Sequence, residues 1–169
     1  MSLAEELPPF SRPDHDEPLL WPRIRGFEDD EQELIRFMYS ELECMCGSRL
    51  EGIMLVDICV SLMRLGANCL EVRRFVKPQH SVGWCRLDFF ICPYRLRPDV
   101  GFAIECDGER WHEEKRDSKR DSWLKSQGII EIYRYPGAEI EKWWRDNAHQ
   151  AISHFQTYHH DFRYGTPFV

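Results

Sequence analysis

Apolar positions along this chain change their period several times, and each change marks a new element. Between Phe27 and about Met45, Leu34, Phe37, Met38 and Leu42 recur at helical spacing among acids, which predicts an amphipathic helix with a solvated acidic face. Gly47 stops it. Ser48-x-x-Glu51 then has the form of a capping box and opens a second helix to about Leu65, in which Ile53, Leu55, Val56, Ile58, Cys59, Leu62 and Met63 are apolar on most sides. Such a helix belongs at the centre of a core, with Gly66 as its C-terminal stop.

Cys69 to Val76 alternates loosely and runs into Pro78, and Gly83 sits in a turn before Cys85 to Cys92, so this pair predicts a β-hairpin. Val100 to Cys106 is a continuous apolar run, as in a strand covered on both faces. After Gly108 the helical period returns from about Glu113 to Gln127, where Trp123 and Leu124 are the clearest apolar contacts; Gly128 is its C-cap, and Ile129 to Tyr133 makes a fourth strand. A strand, a helix and a strand joined this tightly predict a parallel crossover. A last helix from about Ala138 to Phe155 turns Ile140, Trp143, Trp144, Ala148, Ala151, Ile152 and Phe155 inward. The fold class is therefore α/β: a mixed four-stranded sheet flanked by helices, with an αβββαβα core behind one extra N-terminal helix. Residues 1–26, rich in proline and without a period, read as an extended or poorly ordered arm, 27–158 as a single domain and 159–169 as a tail.

A chain of 169 residues, 43% hydrophobic and 30% charged, suits one soluble domain with a substantial core, and no apolar run approaches the roughly 20 residues of a membrane span. The first ten residues are acidic and broken by Pro8-Pro9, unlike a signal peptide, so a cytoplasmic protein with no membrane partner is expected. Seven scattered cysteines fit reduced thiols better than a disulfide framework. Cys44-x-Cys46 lacks the second pair of a zinc finger or ribbon; a thiol or zinc protein using Cys44, Cys46 and Cys106 is the rival reading it leaves. The net charge of -7 argues against nonspecific coating of nucleic acid. Its distribution qualifies that, because residues 58–97 carry seven Lys/Arg against two Asp/Glu, as a phosphate-contacting edge or an ordinary solvated face would.

The strands hold acids that packing does not explain. Asp88 lies between Leu87 and Phe89-Phe90, and Glu105-Cys106-Asp107 follows Phe102-Ala103-Ile104. Unpaired buried carboxylates are costly, so these acids ask for a function. Residues two apart on a strand share a face, which puts Glu105 and Asp107 together, and Asp88 joins them if the neighbouring strand pairs alongside. Three hard oxygen donors at strand ends suit Mg²⁺ or Mn²⁺. Each residue also has a plainer role: Asp88 in a pair with Arg86 or on a turn amide, His112 as a packed loop histidine beside Trp111, Arg120 and Asp121 as exposed helix charges, Glu51 as a cap. The histidines His149, His154, His159 and His160 do not keep to one helical face and read as surface residues.

Taken together, residues from about Ser48 to Ile140 resemble the PD-(D/E)XK nuclease superfamily, and within it the domain family related to very-short-patch-repair endonucleases. The landmarks are Ser48-x-x-Glu51, Arg86-Leu-Asp88-Phe, Ala103-Ile-Glu105-Cys-Asp107-Gly108, Trp111-His112, Asp117-x-x-Arg120-Asp121-x-x-Leu124-x-x-x-Gly128 and Tyr133-Arg134. The resemblance implies a restriction-endonuclease-like fold and a Mg²⁺-dependent enzyme that hydrolyses phosphodiester bonds in DNA, in the manner of DNA repair, with action on RNA left open. It makes Asp88 the metal-binding aspartate, Glu105 the acid of the half motif, Asp107 a residue where most of the superfamily has lysine, His112 the general base, Asp121 the acid that orients it and Glu51 a supporting helix glutamate. Arg120, Arg110 or Lys115 would then replace the lysine's charge. Arg73, Arg74, Lys77, Arg86, Arg95 and Arg97 would contact phosphates without reading bases. The alternative reading is a noncatalytic module on the same fold that binds nucleic acid or protein.

Overall fold

A computed structural model describes residues 24–94, 96–107, 114–142 and 147–158. Two helices come first, α1 over Asp29–Leu42 and α2 over Arg49–Arg64, joined by a 3-10 turn at Glu43–Met45. Acids Asp29, Asp30 and Glu31 fill the first turn of α1, where the helix dipole favours them, and the Glu31 carboxylate accepts from the Glu28 amide at 3.1 Å. At the start of α2 the Ser48 hydroxyl accepts from the Glu51 amide at 3.2 Å. α2 is the central helix, buried from Glu51 to Leu62.

The stretch expected to be the first strand is instead a short helix, α3, over Cys69–Phe75. Its cause is local: the Asn68 side chain accepts from the Glu71 amide at 3.1 Å while the Glu71 carboxylate accepts from the Asn68 amide at 2.9 Å. This reciprocal cap starts a turn that buries Val72 and Phe75 and leaves Leu70 in solvent. The hairpin itself is present but shifted, with β1 over Val76–Val82 and β2 over Cys85–Ile91.

β3 spans Gly101–Asp107, α4 Glu114–Ser126 and β4 Ile129–Pro136, followed by α5 over Gly137–Lys142 and α6 over Asn147–Tyr158. These two helices lie within and just beyond the span expected for one last helix; residues 143–146, with Trp143 and Trp144, lie outside the described residues. The sheet order is β1-β2-β3-β4, antiparallel across the first two junctions and parallel across the third, as the tight strand-helix-strand connection predicts.

Helices cover both faces of the sheet. One core cluster joins α1, α2, α3, α5 and α6 to Phe89, Ile91, Phe102 and Ile104, and it takes in Ile24, which the sequence pattern assigns to the N-terminal arm. A smaller cluster of Leu87, Phe90, Ala103, Ile129 and Leu124 lies under α4. Gly128 returns α4 to β4 with φ +99°, and a Cβ there would stand 2.6 Å from the Asp99 carbonyl oxygen, so only glycine fits this corner. No helix among the described residues is long and apolar enough to cross a membrane.

Candidate active site

A regular strand keeps residues two apart on one face, yet Leu87 packs in the α4-side cluster and Phe89 in the opposite one. β2 therefore turns over at Asp88. Across from it, β1 has the matching irregularity: the register runs from Pro78↔Phe89 to His80↔Leu87, and Gln79 between them has φ +50°. The twist aims the Asp88 carboxylate along the sheet at β3, where its Oδ2 accepts from the Cys106 amide at 2.7 Å. The β2–β3 ladder extends to Phe89↔Ile104, and one further step of that register sets Asp88 opposite Glu105.

Glu105 is 7% exposed, and the guanidinium of Arg120 on α4 donates to its Oε1 at 2.9 Å and to the Arg86 carbonyl at 3.3 Å. Burial pushes the Glu105 carboxyl up to about 7, the nearby Asp88 adds to the rise, and Arg120 offsets only part of it. Asp88 is raised too, first by burial, then by Glu51 and Asp107, against the hydrogen bond from Cys106. Asp107 closes β3 half-buried, and Arg134 on the paired strand feels both Glu105 and Asp107. The rim is thus a set of acids from two strands and one helix, countered by two arginines.

Glu51 serves two roles at once. Its amide is capped by Ser48, while its carboxylate, 7% exposed, accepts from the Gly47 amide at 2.7 Å and from Gln79 Nε2 at 2.6 Å. The start of α2 is in this way tied to the irregular residue of β1, and the glutamate's charge reaches Asp88.

Other expected site residues are placed differently. Both carboxylate oxygens of Asp121 accept from Arg134, at 2.9 and 2.7 Å, a bidentate pair; the imidazole it was expected to orient lies outside the described residues. His112, Arg95 and Arg110 lie outside the described residues, as does the side chain of Lys115. Of the basic positions, Arg120 stands in the site and Arg86 is exposed on β2 beside it. Arg73 pairs with Glu41 at 3.2 Å, Arg74 is exposed on α3, Arg97 pairs with Asp99, and Lys77 donates to the Pro98 carbonyl at 3.1 Å. Lys77 is paired with Phe90, toward the end of the sheet away from Asp107, so of these cations Arg120 and Arg86 stand beside the acids and Lys77 does not.

Among the described residues no three His, Cys, Asp or Glu side chains form a group that holds a metal ion. The donor chemistry nonetheless suits a hard dication, since Asp88, Glu105 and Asp107 all offer carboxylate oxygens. Cys44, Cys46, Cys59, Cys85, Cys92 and Cys106 are free thiols. Burial and adjacent acids push Cys46 up to about 12 and Cys106 further, which keeps both protonated and unreactive. Of the remaining histidines, His149 is half-buried in α6 and His154 shares a 2.7 Å hydrogen bond with the Tyr133 hydroxyl; His159 and His160 lie outside the described residues.

Two features of the site carry no sequence signal of their own. Gln79 is a polar strand position whose backbone turn is not written in its identity, and the Cys106 contribution is an amide, which every residue has. Arg134 is visible in the sequence as the Tyr133-Arg134 strand end, but not as the partner of Asp121.

Compared with family models, with curated proteins and with solved structures, the chain has no match.

Proposed function

We propose that this protein is a divalent-metal-dependent endonuclease acting on DNA, with the acidic rim of β2 and β3 as its centre. The observation that carries the reading is the Asp88 contact with the Cys106 amide, because it brings an acid of one strand between the two acids of the next. The resemblance of the sequence to the PD-(D/E)XK superfamily and the short-patch-repair endonucleases supports the same assignment.

In this reading Asp88 and Glu105, with Asp107, hold Mg²⁺ or Mn²⁺, which when bound supplies polarisation of the scissile phosphate and acidification of a water. Arg120 takes the place of the missing motif lysine: it stands on Glu105 and brings a fixed positive charge to where an oxyanion develops. Arg134 holds Asp121 in place. Glu51 fixes Gln79 and through it the twist that aims Asp88. His112 accepts a proton from the attacking water.

The experiment is nicking of supercoiled plasmid by the full chain with Mg²⁺ or Mn²⁺, with and without EDTA, alongside Asp88→Ala and a thermal melt with Mn²⁺. Cleavage that needs the ion and Asp88, together with Mn²⁺ stabilisation of the wild type alone, supports the proposal. Cleavage indifferent to both rejects it. The noncatalytic reading rests on Asp88 and Glu105 each having a partner within the chain; DNA binding without any nicking would favour it.

A further inference from the structure

The tip of the β1–β2 hairpin presents an indole to solvent beside the candidate centre. Trp84 is 71% exposed, an unusual place for so large an apolar ring. It is firmly seated: its ring lies 5.3 Å from that of Trp123, tilted by 35°, and Trp123 packs on the cluster under α4. The preceding Gly83, with φ +52°, runs so close to Trp123 that a Cβ would lie 2.6 Å from its ring. Backbone and indole are therefore fitted together, leaving the outer face of Trp84 in water.

Helix geometry connects this ring to the acids. Lys119 and Arg120 precede Trp123 by four and three residues and so share its side of α4; Lys119 is exposed and Arg120 reaches Glu105. Cations followed by an indole, with a second indole stacked outside, match what a single strand of nucleic acid requires, namely charge for its phosphates and a flat apolar face for a base. In a duplex the base faces are already stacked on one another and a step must be opened before a ring can reach one, whereas an unpaired base offers its face without that cost.

We propose that Trp84 is a stacking platform for an unpaired base, and that the substrate delivered to the acidic rim is single-stranded DNA. This rests on the nuclease reading for the direction of the strand, but base stacking on Trp84 needs neither metal nor cleavage.

The test is equilibrium binding of a fluorescein-labelled oligothymidylate to the full chain in EDTA at one low salt concentration, read by anisotropy. Wild type binds the single strand more tightly than its duplex. Trp84→Phe stays close to wild type. Trp84→Leu, which keeps an apolar cover over Trp123 but has no aromatic face, loses about tenfold to hundredfold in affinity. Each variant is first shown to melt cooperatively; if Trp84→Leu does not, quenching of tryptophan fluorescence on binding, present in wild type and reduced in Trp84→Phe, serves in its place. Equal binding by Trp84→Leu and wild type overturns the platform, as does a Trp84-dependent dimer that binds no oligonucleotide; binding of oligouridylate at equal affinity overturns the restriction to DNA. Intact Trp84-dependent binding without Mn²⁺-dependent cleavage of the labelled single strand would sink the nuclease reading alone.

Discussion

Asp88 Oδ2 lies 2.7 Å from the amide nitrogen of Cys106, so that an acid of β2 occupies the hydrogen-bonding position a backbone carbonyl fills elsewhere in the sheet. The contact makes two different substitutions informative. Asp88→Ala strands a half-buried amide and is expected to cost about 1–3 kcal/mol of stability, whereas Asp88→Asn keeps an acceptor and costs less. Both should abolish metal-dependent nicking. Denaturant melts read the first effect and the plasmid assay the second.

Arg120 and Glu105 are coupled across α4 and β3. Removing the guanidinium leaves a carboxylate with little access to water, so Arg120→Ala is expected to destabilise by about 3 kcal/mol, and Glu105→Gln in the same chain should recover part of the loss. The coupling from the double-mutant cycle should fall at about 1–3 kcal/mol. Arg120→Lys keeps the charge but not the fork, and an intermediate value is expected.

Gly101 opens β3 against Ile91. A Cβ there would stand 2.0 Å from the Ile91 carbonyl oxygen, which is backbone and has no side-chain rotamer through which to yield. Gly101→Ala should therefore disturb the β2–β3 junction and cost about 3 kcal/mol or more, seen as a lower melting temperature. An unchanged melting temperature would mean the strands lie further apart than described.

His80 provides a pH signature. Its ring stacks on Phe90 at 4.9 Å, and burial first, then Lys77, lowers it below its ordinary value of 6.5. The unfolded chain takes up the proton before the folded one. The His80 contribution to stability is thus complete above about pH 6.5 and is lost as pH falls through the lower folded value. Denaturant midpoints across that range should slope less in His80→Gln than in wild type.

The sequence pattern predicts the sheet and most helices because long periodic segments leave little choice. α2 shows this most clearly, with apolar residues on every side and a serine at its start. α3 defeats the pattern: Cys69 to Val76 is β-branched and aromatic enough to suggest a strand, and the decisive signal is the Asn68-x-x-Glu71 cap, four residues that outweigh eight. The acids are legible as misfits in an apolar run, and the β2–β3 register brings Asp88 and Glu105 near each other as strand geometry predicts. What each acid binds is not legible. Asp121 turns to Arg134 because two strands and a helix converge there, a tertiary fact with no local trace.

Gln79 has a consequence for how the centre could be tuned. A polar side chain that anchors to Glu51 and a backbone that leaves the usual strand region together set the angle of the acid across from it. Glycine at this position would relax the kink, and a branched residue would press it toward a flat ribbon. If the rim holds a cation as proposed, its affinity would in this way be adjustable from a neighbouring strand.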